Sequence, residues 1–392
     1  MTEKLLSRYG DYQFEIYRGG NRGRLPKQPF DFPSLERKAR EALPSWVLSY
    51  VAGGCGDENT QRGNVEAFQN YGLVPRMGNT STERDMSIEF LGRRLPSPLM
   101  TAPIGVIGIC SQDFRGDLAV CRASARTGVP TIQSTLSIDP MEDLAVACGD
   151  TPKYFSLYAP KNRDLALSFI RRAEQAGYEA IIVTMDTWVL GWRPRDLQIA
   201  NFPQLRGYCL SNYFTDENFL KLLDKKPEDD IEAATAEWAN QFATPVDWAD
   251  LKWMREATDL PILVKGVSHP EDVKRAIDMG VNGIYCSNHG GRQANGGVPN
   301  LEVLADVVEA SGDLPVIFDS GIRSGTDIVK ALALGATAVA VGRPYAYALA
   351  VGGEDGVVQL LRSMLAEADL LMAVDGYPSI EALRAGGLRR VR

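Results

Sequence analysis

The chain has 392 residues, 45% apolar, 23% charged and 8% aromatic, a balance that excludes disordered and fibrous classes and suits either two or three ordinary domains or one large α/β barrel with additions. Lys plus Arg number 42 against 50 Asp plus Glu, so the net charge is −8 and the surface offers nucleic acid no general attraction. No apolar run is long enough to cross a membrane, MTEKLLSRYG lacks a signal-peptide core, LRRVR carries no peroxisomal or lipid-attachment signal, and a cytoplasmic location is expected.

Residues 1–97 read as helices and irregular chain, including FPSLERKAREALPSWVLSYVAGG, and are expected to form an N-terminal helical extension packed on the remainder of the chain. From residue 98 onward, β-branched runs alternate with amphipathic stretches. The runs are PLMTAPIG (98–105), VPTIQS (129–134), KYFSLYA (153–159), AIIVTMD (180–186), PILVKGV (261–267), GIYCSN (283–288), PVIFDSG (315–321) and AVAVGRP (338–344). Helical stretches follow each run, and several close on glycine as helix C-termini prefer. Eight consecutive βα units predict a closed (β/α)8 TIM barrel over residues 98–392, with an open doubly wound sheet as the alternative. After the fourth run, about sixty residues (187–246) precede the next helix, a length that points to a lid insertion over a site.

The six cysteines (Cys55, Cys110, Cys121, Cys148, Cys209, Cys286) are irregularly spaced with no C-x-x-C, so neither a zinc site nor a disulfide framework is expected, and no metal is assigned. Only two histidines occur, His269 and His289, so imidazole chemistry is easy to localise.

A barrel of this type carries its active site at the C-terminal ends of its strands. Polar residues gather at those ends: Ser156 and Tyr158 on the third, Thr184 and Asp186 on the fourth, Lys265 on the fifth, Ser287, Asn288 and His289 on the sixth, Asp319 on the seventh and Arg343 after the eighth. The last two loops read DSGIRSG (319–325) and VGRP (341–344). Their glycines let backbone N–H groups approach a phosphate that Arg323 and Arg343 can neutralise; either loop alone is equally well explained as a turn, but the pair falls in the units where phosphate binds in this fold. Lys265 ends an apolar strand, so it either pairs with a neighbouring carboxylate or stands beside an electron-rich cofactor such as a flavin. His289 opens the glycine-rich turn HGGRQANGG, and Arg292 comes three residues later, so a base and a carboxylate anchor can share one loop while Asp186 orients the imidazole. His269, in SHPED ahead of a helix, reads as structural or solvated, and Tyr50, Tyr158 and Arg193 taken singly read equally well as packing aromatics and a solvated charge.

The segments SYVAGG (49–54), TAPIG (101–105), TMDTWVLGWRPRDL (184–197), PILVKGV (261–267), SNHGGRQ (287–293), DSGIRSGTD (319–327) and VGRP together resemble the FMN-dependent 2-hydroxy acid oxidases and dehydrogenases. GWRPRDL, SYVAGG and AEADLLMAVDGY resemble the lactate 2-monooxygenase branch of that family. The resemblance implies FMN as cofactor, a small 2-hydroxy acid and O2 as reactants, and a homotetramer or homo-octamer. It further implies His289 as base, Asp186 as its partner and Lys265 at flavin N1. Arg193, Arg292 and Tyr50 correspond to carboxylate-binding residues, and Tyr158 to the residue near the substrate hydroxyl. Ala102, Pro103, Ile104 and Gly105 would line the flavin, with Ser134, Ser156, Thr184 and Ser287 in contact with it. Asp319, Ser320, Gly321, Arg323, Gly342 and Arg343 would hold the ribityl phosphate. Two positions depart from the family pattern: Ser156 stands where glutamine is usual, and Leu136 replaces the tryptophan of plant-type glycolate oxidases. The implied reaction is oxidation of L-lactate or a related (S)-2-hydroxy acid, ending in oxidative decarboxylation to acetate, CO2 and water. Release of the 2-oxo acid and H2O2 is the alternative outcome, and a non-catalytic flavin-binding protein the minor one.

Overall fold

A computed structural model describes residues 8–79, 82–242 and 244–392; residues 1–7, 80 and 81 of the expected N-terminal extension and residue 243 of the expected lid lie outside the described residues. Eight parallel strands form a closed barrel. They are β1 (Leu99–Thr101), β2 (Thr131–Ser134), β3 (Lys153–Leu157), β4 (Ile181–Thr184), β5 (Ile262–Val267), β6 (Gly283–Cys286), β7 (Val316–Phe318) and β8 (Ala338–Val341). Each pairs with the next, and β8 returns to β1 through Val339↔Leu99 and Val341↔Thr101, which removes the open-sheet alternative. The strands read as unbroken apolar runs because both faces are covered: Ile181, Ile182, Val183, Ile262, Leu263 and Val264 are fully buried. Six of them end before the runs in the sequence do, because the C-terminal residues of those runs leave the ladder and turn onto the rim; β2 and β5 reach the last residue of theirs.

The surrounding helices start where their sequences cap them. Asn162 accepts the Asp164 and Leu165 N–H groups at 2.9 and 3.2 Å, and the helix Arg163–Gln175 lays Leu165, Phe169, Ile170 and Ala173 on the barrel. Each large apolar side chain so buried contributes about 1.5–3 kcal/mol. Ser324 and Asp327 form a capping box that fixes Gly325–Ala333 directly after the β7 loop. His269 caps Pro270–Asp278 by accepting the Glu271 N–H at 3.1 Å, which accounts for it structurally.

The chain ahead of the barrel holds helices Phe32–Ala42, Ser45–Ala52 and Asn59–Glu66, but it is not purely helical. Ile88–Phe90 and Arg93–Leu95 form an antiparallel hairpin whose tip lines one cleft with Pro261, Asn282, Pro315 and Thr337 at the strand N-termini, and Tyr71–Leu73 pairs with Leu388–Arg390. Strands of three residues are too short to show a period of two, so no sequence pattern announces them. The insertion after β4 is largely helical, with Pro194–Gln198, Ser211–Phe214, Glu217–Leu220 and Ile231–Gln241. Asn212 donates to Thr135 O at 2.9 Å and Arg172 donates to Asp216 at 3.1 Å, which fastens its middle part to the barrel. No helix among the described residues is long and apolar enough to cross a membrane.

Candidate active site

At the C-terminal rim lies a cleft that is partly open to solvent. Of the residues singled out in the sequence, Tyr50, Ala102, Pro103, Ile104, Gly105, Tyr158, Arg193, Lys265, His289, Arg292, Asp319, Ser320, Gly321, Arg323, Gly342 and Arg343 line it. The helix Ser45–Ala52 brings Tyr50 over the rim, and Arg193 arrives from the insertion. Asp186 stands behind His289. Ser134, Ser156, Thr184 and Ser287 do not line the cleft. Ser156 and Thr184 share a hydrogen bond of 3.1 Å, Ser134 accepts the Leu136 N–H, and Ser287 accepts the His289 N–H.

The turn after β6 is unusual backbone. His289, Gly290 and Gly291 have φ of +57°, +63° and +74°, three successive left-handed residues of which one carries a side chain. At Gly291 any Cβ would sit 2.6 Å from Gln61 N, so the turn closes tightly on the helix Asn59–Glu66. The conformation carries the imidazole to Asp186: Nδ1 lies 2.8 Å from Asp186 Oδ1, which holds the proton on Nδ1 and leaves Nε2 free to accept one. The Tyr158 hydroxyl lies 3.5 Å from that Nε2. Lys265 Nζ is 3.6 Å from Asp186 Oδ2 and 3.4 Å from His289 Nδ1. Lys265 therefore has the carboxylate partner of the first reading, and it also lines the cleft.

Burial, aided by the Lys265 charge and opposed by Asp186, holds the His289 imidazole below its ordinary value, so it is neutral and able to act as a base at pH 7. Burial works to raise Asp186, but the neighbouring His289 and Lys265 charges override it and keep this carboxyl well below the usual range. Burial, then the Asp186 charge, pushes the Tyr158 phenol up, so it stays a hydrogen-bond donor.

Among the described residues, four guanidiniums share the cleft with a single lining carboxylate, Asp319. Arg343 donates to Val51 O, Gly290 O, Gly53 O and Gln61 Oε1; burial first, then Arg292 and Arg323, push it down to about 9. Arg323 is lowered by burial as well and lies 4.6 Å over the Phe32 ring. Arg292 donates to Tyr50 O and Gly53 O, stacks 4.6 Å over the Tyr50 ring, and leaves Nη2 buried with no hydrogen-bond partner. Burial and then the Arg193 charge lower it. Gathered cations without anions are costly, and an unpartnered guanidinium nitrogen adds to that cost. Two anionic groups would relieve it: one between Arg323 and Arg343, beside loops where the backbone at Gly321 approaches so closely that a Cβ would lie 2.1 Å from Asn64 O, and one at Arg193 and Arg292. A phosphate-bearing flavin and a carboxylate ligand would fit those two places, with apolar Ala102, Ile104, Val106 and Leu136 as a wall for a flat ring.

Several site residues were not read from the sequence. Thr187 lines the cleft and donates to Asp186 Oδ1 at 2.9 Å. Gln61 accepts from Arg343, Gln293 Oε1 accepts from Arg193 at 2.6 Å, and Asn64 and Asn288 exchange reciprocal amide bonds of 2.8 Å that tie the extension to the His289 turn. Gln293 belongs to SNHGGRQ and Thr187 adjoins Asp186, so both stand beside residues already singled out; Gln61 and Asn64 come from the extension and carry no signal.

Comparison with known proteins gives one picture. Residues 39–390 match the FMN-dependent dehydrogenase family. The chain is 41% identical over 358 residues to an L-lactate oxidase of Lysinibacillus sphaericus, covering 91% of this chain and 92% of that one. It is 40% identical over 352 residues to a 4-hydroxymandelate oxidase of Amycolatopsis orientalis, covering 89% and 95%. The crystal structure of a mandelate oxidase superposes with a TM-score of 0.82 at 36% identity, covering 93% of this chain and 99% of that one.

Proposed function

The chain belongs to the FMN-dependent dehydrogenase family of 2-hydroxy acid oxidoreductases, and from that premise we propose that it oxidises L-lactate or a related (S)-2-hydroxy acid with O2, with oxidative decarboxylation as the outcome. One observation carries the reading: the free Nε2 of a neutral, Asp-oriented histidine and the unpartnered Nη2 of Arg292 belong to one cleft. Arg193 and Arg292 bind the substrate carboxylate, and their planar forks fix its orientation. Tyr158 donates to the substrate hydroxyl, and His289 Nε2 takes up the proton released as the 2-hydroxy acid becomes a 2-oxo acid. Asp186 stabilises the imidazolium formed, and the Lys265 ammonium balances the carboxylate. Arg323, Arg343 and the β7 and β8 loops would hold FMN, which when bound would supply a two-electron acceptor able to pass those electrons to O2.

Retention of the 2-oxo acid until peroxide decarboxylates it is favoured by the cover over the cleft. Leu190, Arg193 and Phe202 of the insertion line it, and Gln204, fully buried, donates to Gly105 O at 3.2 Å, tying the insertion to the flavin wall. Gly105 keeps this wall clear, since a Cβ there would press Leu136 at 3.2 Å. A second reading, release of 2-oxo acid and H2O2, is favoured by relatives named L-lactate oxidase and 4-hydroxymandelate oxidase. Product stoichiometry separates the two: acetate and CO2 equal to O2 consumed support decarboxylation, whereas equal pyruvate and H2O2 refute it.

A further inference from the structure

The carboxylate that holds His289 receives a second donor. Asp186 Oδ1 accepts from His289 Nδ1 at 2.8 Å and from the Thr187 hydroxyl at 2.9 Å, while Oδ2 is buried, has no hydrogen-bond partner and faces Lys265 Nζ at 3.6 Å. Thr187 is buried, although Trp188 and Val189 immediately after it are more than half exposed. Its hydroxyl also lies 3.3 Å from His289 Nδ1. One short side chain thus touches Asp186 and His289 without itself being able to exchange a proton near neutral pH.

We propose that Thr187 is a positioning residue whose hydroxyl, donated to Asp186 Oδ1, limits how strongly that carboxylate holds the imidazolium form of His289 and so sets the pH below which the base fails. The proposal rests on His289 acting as the base. A carboxylate oxygen satisfied by two donors carries less charge toward either one. Without the Thr187 hydroxyl, Oδ1 serves His289 alone, Asp186 becomes more basic and the imidazolium is held more tightly. The Thr187 oxygen is the longer of the two contacts to Nδ1, so loss of the donor to Asp186 outweighs loss of that contact. The other groups facing His289 stay in place: Lys265 from β5, Tyr158 after β3, and Arg193 from the insertion. Placing the donor next in sequence to Asp186 fixes it to the same backbone turn, so the pair moves as a unit.

The chain's two histidines make the test direct. In FMN-loaded enzyme labelled in its histidine rings, NMR titration follows the His289 midpoint, and the signal of His269, which caps the helix Pro270–Asp278 and does not line the cleft, serves as internal reference. Thr187→Val raises the His289 midpoint by about half a pH unit or more and leaves His269 unmoved. The acidic limb of kcat/KM moves upward with it, and Thr187→Ser returns both to the wild-type position. Thr187→Ala gives the same NMR result if the valine variant does not fold. An unmoved or lowered His289 midpoint in the variants lacking the hydroxyl overturns the proposal, even where the rate falls. The NMR midpoint reports the Thr187, Asp186 and His289 coupling whether or not the imidazole takes the substrate proton; failure of the base assignment shows separately, as normal flavin reduction by His289→Gln.

Discussion

Asp186→Asn confronts the site with a choice that neither amide orientation resolves. With its oxygen toward His289, the amide keeps the bonds from Nδ1 and Thr187 but turns an NH2 group toward the Lys265 ammonium 3.6 Å away. With its NH2 toward His289, the proton is driven from Nδ1 to Nε2 and the basic nitrogen is lost. Lys265 is 3% exposed and has no other carboxylate partner among the described ion pairs, so the first orientation leaves a buried cation uncompensated. Breaking a buried pair costs about 3–5 kcal/mol, and the long separation here sets the expectation near the lower figure, about 3 kcal/mol. The second orientation removes the base, and a wrong tautomer in a comparable histidine–carboxylate pair costs about 10⁴-fold. The expected outcome is loss of at least about 10³-fold in anaerobic flavin reduction, together with a lower urea midpoint for the FMN-loaded protein. Reduction within tenfold of wild type, with an unchanged midpoint, would refute the coupling of Asp186 to both neighbours.

Arg292→Met removes the buried Nη2 that awaits a carboxylate, so the substrate concentration for half-maximal flavin reduction rises at least about tenfold while FMN stays bound; unchanged saturation by lactate counts against the anchor. Arg343→Met relieves the crowding of Arg343 with Arg292 and Arg323 and removes the proposed phosphate ligand, so affinity for FMN is expected to fall by about tenfold or more while affinity for riboflavin, which lacks the phosphate, changes little. Equal losses for the two ligands in fluorescence titrations would place the phosphate elsewhere. His289 and Asp186 both lie below their ordinary values in the folded protein, so the unfolded chain binds more protons in acid. Their stability contribution is present in full above the ordinary histidine value of 6.5 and is lost as pH falls through the lower folded values. Urea midpoints therefore decline below pH 6.5, and His289→Gln, which removes one of the two groups, shows a shallower decline; parallel curves contradict the assignment.

The barrel is legible because its eight strands are buried on both faces and so stand out as apolar runs, and because the fold dictates where the ends of those runs meet. That is why Asp186, Lys265 and His289, far apart in the chain, can be placed as neighbours without a distance in hand. The extension is less legible. Its hairpin has two three-residue strands, and Gln61 and Asn64 sit on a helix that nothing local aims at the site. The strand-end hydroxyls show a different limit. A residue at the end of a strand can face the cleft or its neighbours, and the 3.1 Å bond between Ser156 and Thr184 reflects a side-chain choice that strand periodicity leaves open. Thr187 adjoins the most informative aspartate in the chain, yet its role depends on a hydroxyl direction that only coordinates reveal.

Anaerobic mixing of the FMN-loaded protein with L-lactate, monitored by flavin absorbance, tests the central claim most directly. Wild type bleaches, and His289→Gln, with FMN still bound, bleaches at least about 10²-fold more slowly. A flavin that stays oxidised in wild type with lactate and every other short (S)-2-hydroxy acid, or that bleaches equally fast in both proteins, contradicts it.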